Sequence, residues 1–288
     1  MNNRRLIFSA FLLLAISIPS ISAEQNAKLG ENAALRYWAA FAQMQDTVIT
    51  DQQAAELNSV LDGTSPYNDT KYRELIEKNK PALETLARAS ALPNCDWGID
   101  YQLGTEAPVD YVRKAIALGR LNVLLAFHLL IVGDKEGAVH TLTVGLRFSH
   151  DLANGGTLFA TVVAKTLLVQ HLGAMEFALH VAGLSAAQRS VLSKAVAQLG
   201  PDGLDWQSAV KREFEVLRGV DSKTSTALTQ IAPNYLSVLT DSSVLPKLQE
   251  MIASAPPPLP GIIPNPKHVL DAKRSLTEKI RQALSRLQ

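Results

Sequence analysis

The stretch from Val109 to Gly183 is the most apolar and most helical part of the chain, and it constrains the fold most. Thr157 to Val181 contains only Lys165 and Glu176 as charged residues. Leu121 to Val132 contains none. Helices that are apolar almost all round must be covered by neighbours or by lipid. Length and apolarity bring the 157–181 stretch close to a membrane span. However, Lys165, Gln170, His171 and Glu176 fall near its middle, where they would be costly in hydrocarbon. The expectation is therefore a buried helix with no membrane span in the mature chain.

Periodicity supports helices in this region. Counted from Val112 at about 100° per residue, Ile116, Gly119, Val123, Phe127 and Leu130 fall within roughly 60° of one line. Leu118, Leu125, Leu129 and Val132 occupy other sectors. Gly133 suits the left-handed conformation of a helix C-cap, and Asp134 can cap the next helix, Lys135 to Ala153. On that helix Val139, Leu142, Leu146, Ser149 and Leu152 form the inner side. So short a turn makes the two helices an antiparallel, packed pair.

The N-terminus has a basic start (Arg4, Arg5), an apolar run from Leu6 through Ile18, and small residues before Ala23. This is the pattern of a secretory signal peptide over residues 1–23, and implies a secreted or periplasmic product. Cleavage would remove two of the 28 basic residues and none of the 27 acidic ones, which leaves a formal charge of −1. That balance offers no basic patch for nucleic acid. The single cysteine, Cys95, excludes an intrachain disulfide, so a hydrophobic core must supply the stability.

Elsewhere the chain reads as helices punctuated by Gly and Pro. Ala27 to Gln45 carries Leu35, Tyr37, Trp38, Phe41 and Met44; Asp51 to Leu61 follows. Asn68 to about Ala91 is interrupted at Pro81, which either kinks the helix or begins a new one. Ser185 caps a helix to Leu199. Asp205 to Val220 places Trp206, Val210, Phe214 and Leu217 at helical spacing, and Thr224–Ile231 and Ser242–Ala253 read as shorter helices. Ala255 to Pro266 is expected to be extended, largely polyproline II. Val269 to Leu287 closes the chain, with Leu270, Leu276, Ile280 and Leu284 inward. No alternating strand pattern occurs. The expected fold is all-α, stacked antiparallel helical hairpins of solenoid or bundle type, with about nine to eleven helices. The expected organisation is a helical domain over 24–253, a Pro-rich strap or linker over 254–267, and a terminal helix over 268–288.

Two resemblances add to this. The turn at residues 133–138, Gly-Asp-Lys-Glu-Gly-Ala, resembles the turn inside tetratricopeptide-type hairpins, with no strict repeat of that length elsewhere. The segments Asn32-Ala-Ala-Leu-Arg-Tyr37-Trp-Ala-Ala and Ala91-Leu-Pro-Asn-Cys95-Asp-Trp97-Gly-Ile-Asp100-Tyr101 resemble local features of exported bacterial all-helical proteins. That second resemblance implies a helical exported protein and brings no activity with it.

Candidate chemistry centres on the turn-rich stretch Leu92 to Pro108. Asp96, Trp97, Asp100 and Tyr101 cluster aromatic faces and carboxylates as small-ligand sites do. The structural alternative is that Trp97 and Tyr101 plug the end of the helices while the acids cap turns. Five histidines, at 128, 140, 150, 171 and 180, lie in the central helices, but their spacing matches no metal motif. His171 and His180 point in roughly opposite directions, and His140 and His150 are about 15 Å apart. No catalytic residue, metal site or cofactor is assigned. The expected function is a binding or scaffold module presenting a groove to a protein or peptide partner. The alternative is a secreted hydrolase using the loop carboxylates with a core histidine.

Overall fold

A computed structural model describes residues 31–45, 50–61, 64–107, 111–218 and 222–288. The signal-like segment 1–23 and residues Ala27–Gly30, Val109 and Asp110 lie outside them. Helices run α1 (Ala33–Gln43), α2 (Asp51–Leu61), α3 (Asp69–Lys78), α4 (Lys80–Ser90), α5 (Tyr111–Ile131), α6 (Lys135–Ala153), α7 (Leu158–Val181) and α8 (Ala186–Ala197). They continue as α9 (Trp206–Arg218), α10 (Ser222–Val238), α11 (Leu245–Ala253), the short α12 (Leu259–Ile262) and α13 (Pro266–Leu287). Short 3₁₀ segments cover Tyr101–Glu106 and Ser242–Val244. Among the described residues there are no strands; the fold is all-α, with more helices than the nine to eleven expected.

The chain stops and restarts where its chemistry requires. Gly133 adopts φ +83° after α5, and Asp134 accepts a hydrogen bond from the Gly137 amide at 2.8 Å to open α6. Pro81 sits in the first turn of α4, so the 68–91 stretch is two helices, separated by the buried Asn79. Ser185 and Gln188 make a capping box at α8.

At the centre α5, α6 and α7 run up, down and up, each touching the other two. Around them α3 and α4 cover α5, α4 and α8 cover α6, and α9 and α13 cover α7, while α1 pairs with α4. Because α13 returns to α7 and α8, the arrangement is a bundle, not a run of units that touch only their neighbours. Two helices, α5 and α7, are long and apolar enough to cross a membrane by length and composition. Neighbouring helices bury 50% of the most apolar window of α5 and 67% of that of α7. Gly119 lets α5 approach the Leu167 side chain of α7, and Gly145 lets α6 approach His171.

On α1, Leu35 and Trp38 are 49% and 40% exposed, while Tyr37 and Phe41 fill the core with Ala33, Ala34 and Ala40. Two local expectations are corrected. The α10 helix is longer than expected, running through Pro233 to Val238. The Pro-rich stretch is not largely polyproline II. It contains α12, and α13 begins at Pro266 under an Asn265 cap. Proline's fixed φ fits the first turn of a helix as well as an extended chain, and Pro258, Pro260 and Pro266 all fall at such starts.

Candidate functional site

Of the Leu92–Pro108 stretch, the described residues 92–107 lie across the start of α1. Asn32 joins the two: its side-chain amide donates to the Asp96 carbonyl at 2.8 Å and accepts from the Asp96 amide at 2.9 Å. The Ala33 amide donates to the Asn94 carbonyl at 2.8 Å. The segments 32–40 and 91–101 are thus neighbours in space.

Trp97 is 8% exposed and sits in an aromatic knot. Its ring stacks on Tyr111 (4.4 Å between centroids), Tyr37 (5.8 Å) and Phe41 (6.2 Å). Its indole N–H donates to the Asp151 carbonyl at 2.9 Å. The Asp151 carboxylate, itself buried, accepts from the Tyr37 hydroxyl at 2.8 Å and from Arg147 Nε at 3.0 Å. Burial and the neighbouring Asp151 charge push the Tyr37 hydroxyl pKa well up. The same causes raise the Cys95 thiol, which therefore stays protonated and a poor nucleophile.

The remaining candidates do turn-building work. Asp96 accepts from the Gly98 amide and Asp100 from the Gln102 amide, each at 2.9 Å. Tyr101 donates to the Gly155 carbonyl and lies 5.8 Å from the Arg212 guanidinium, which sits over its ring. The structure brings Trp97 to Tyr37 and Asp151. It leaves Asp96 and Asp100 exposed, each engaged with a nearby amide.

Below this knot lies a buried polar node. His171 is fully buried; its Nδ1 lies 2.8 Å from the Leu167 carbonyl and its Nε2 3.2 Å from the Asn122 side-chain nitrogen. With Nδ1–H donating to Leu167, Nε2 accepts from Asn122, which also donates to the Thr141 carbonyl at 2.9 Å. Desolvation lowers the His171 pKa to about 4, so the ring is neutral.

An open hollow lies elsewhere, between α4 on one side and α5 and α6 on the other. Its volume is about 470 Å³. Ile76, Leu83, Ala87, Leu125, Leu129 and Val144 make its apolar floor, and Asn122 and Thr141 reach it from the polar node. Lys80, Glu84, Arg88 and His140 line its lip and are exposed. A second hollow of about 360 Å³ continues past Ala87, His140 and Val144, which belong to both, toward Arg147, His150 and the end of α8. Leu92 and Pro93 border it. Asp96, Trp97, Asp100 and Tyr101 line neither hollow.

The sequence reading therefore passed over Ala87, Arg88, Val144 and Arg147, and weighed His140 only as a metal ligand. A signal existed: His140, Val144 and Arg147 share one face of α6 at i, i+4 and i+7. One valine among polar residues reads as a solvated face, and a groove needs a second wall that spacing on one helix cannot supply. Among the described residues no cluster of three or more His, Cys, Asp or Glu side chains is placed to hold a metal ion. Compared with protein-family models, with curated proteins and with solved structures, the chain gives no match.

Proposed function

We propose that this protein is a binding module that receives a segment of another protein in the groove between α4 and α6. The supporting observation is the groove itself: an apolar floor with polar lips, formed by rigid helices. The tetratricopeptide-like turn between α5 and α6 agrees with this reading. Nothing comparable favours the hydrolase alternative, since Asp96 and Asp100 line neither hollow and cap local turns.

Selection of short random peptides on the protein, repeated with the groove plugged by Ala87→Trp or the smaller Ala87→Leu, tests this. Selected peptides are expected to bind the wild type and to lose at least about tenfold in affinity on a plugged variant that keeps its melting temperature. Asp96→Asn and Asp100→Asn are expected to leave binding unchanged, because Asn caps turns as Asp does. Binders indifferent to the plug but sensitive to Asp96 or Asp100 would move the site back to the Leu92–Pro108 stretch.

The module is further read as exported, from the basic, apolar and small-residue pattern of residues 1–23. The intact mass of the product recovered from a bacterial periplasm checks this. Loss of residues 1–23 is expected, and a periplasmic product retaining Met1 overturns it.

A further inference from the structure

Resting on the groove reading, we infer that the occupant is an extended acidic–apolar peptide, with a carboxylate in the hollow beside Arg147 and apolar side chains over Ala87 and Leu125. The two hollows differ in chemistry. The first has an apolar floor, and its lip carries both signs, Glu77 and Glu84 against Lys80 and Arg88. No carboxylate lines the second, whose charged or chargeable groups are Arg147, His140 and His150.

Arg147 is held ready for an anion. Its Nε is bound to the buried Asp151, and one terminal nitrogen donates to the Pro93 carbonyl at 3.2 Å. A guanidinium has five N–H donors in a rigid fork, so these two contacts fix the plane and leave further donors. Asp151 is 1% exposed and already accepts from Tyr37, so it presents no carboxylate surface to the groove. The side chain of Arg147 is 38% exposed. Exposed His140 joins the hollows, and Gln198 adds an amide at the far wall.

Length and lip chemistry select the class. From Lys80 to Ser90 the α4 wall is about 15 Å long, which matches roughly five residues of extended chain. The exposed Lys80, Glu84 and Arg88 offer donors and acceptors along that path, which the amides of an extended peptide can use.

The test begins with the composition of the selected peptides. Enrichment of Asp or Glu next to Leu, Ile, Val or Phe is expected. A fluorescein-labelled peptide from that set is then titrated by anisotropy. Replacing its acids by the corresponding amides should weaken binding about tenfold, and His140→Glu in the full-length protein should weaken the acidic peptide by a similar factor while sparing the amide version. His150→Gln gives a milder loss in the same direction and serves if the first variant melts early. Raised salt should erode the difference between the acidic and amide peptides. Plug-sensitive peptides that are neutral or basic would overturn the acidic occupant and leave the groove reading standing. Plug-insensitive binding would remove both. Displacement of the labelled peptide by dodecanoate at concentrations below those of the unlabelled peptide would assign the groove to a fatty-acid-like ligand instead.

Discussion

His171 is uncharged because its surroundings give it no alternative. Its ring, on α7, is sealed against α5 and α6, with one nitrogen donating and the other accepting, so there is no site for a second proton's charge. The folded-state pKa of about 4 lies below the ordinary value of 6.5. As pH falls below 6.5 the unfolded chain takes up the proton first, so stability is full above that pH and is lost down to about 4. The whole difference amounts to roughly 3 kcal/mol. Melting temperatures from pH 7 to pH 4.5 should fall more steeply for the wild type than for His171→Gln, and parallel slopes would refute the assignment. Gly145 belongs to the same node, since a methyl there would collide with the imidazole and with Asn122. Cys95 and Trp97, which stood out in the sequence, share one acceptor, the Asp151 carbonyl. Their chemistry is used in holding the loop around Cys95 and Trp97 to α6.

The helices differ in what starts them. The caps of α1, α3, α6, α8 and α13 come from local Asn, Asp or Ser side chains, and each is legible from residues within one turn. The α7 helix is different. Thr157 precedes it but makes no side-chain cap, and the Leu158 amide donates instead to Glu213 Oε2 of α9 at 3.0 Å. A carboxylate at the positive end of the most apolar helix is favourable, although burial raises the Glu213 pKa. Glu213→Ala should cost about 1–2 kcal/mol. Hydrogen exchange would show the loss as faster exchange of the first-turn amides of α7, with those of α8 unchanged. Uniform acceleration across the bundle would mean that Glu213 acts through packing and not as a cap.

At the level of the molecule, the bundle closes when its last helix returns. Leu276, Ile280 and Leu287 of α13 are buried, and Arg286 pairs with Glu176 of α7 at 2.9 Å. Gly203 has no room for a side chain beside Leu276 and Ile280, so the turn before α9 is fitted to α13 as well. Tyr235 donates to the Pro264 carbonyl at 2.8 Å, which ties the Pro-rich segment to α10. Removing residues 264–288 should therefore uncover α7 and α8. The truncated chain is expected to bind a hydrophobic dye and to lose its cooperative melting transition. A truncated chain that melts like the full one would make α13 an appendage.

How far the sequence alone reaches follows from the range of the interactions involved. Helix identity, the Gly133–Asp134 turn, the inner faces of α6 and α9 and the need to bury α7 depend on residues within a few turns of each other, so composition and period reveal them. The start of α13 at Pro266 was misread, because a proline is compatible with two local outcomes. The groove, the His171 node and the carboxylate over α7 were beyond reach for a different reason. Each joins residues tens of positions apart, Ala87 with Val144, Asn122 with His171, and Glu213 with Leu158. Local chemistry determined that this chain is a stack of helices with little charge at its centre. Only the packing of one helix against another decided where a hollow was left and which polar groups were buried beneath it.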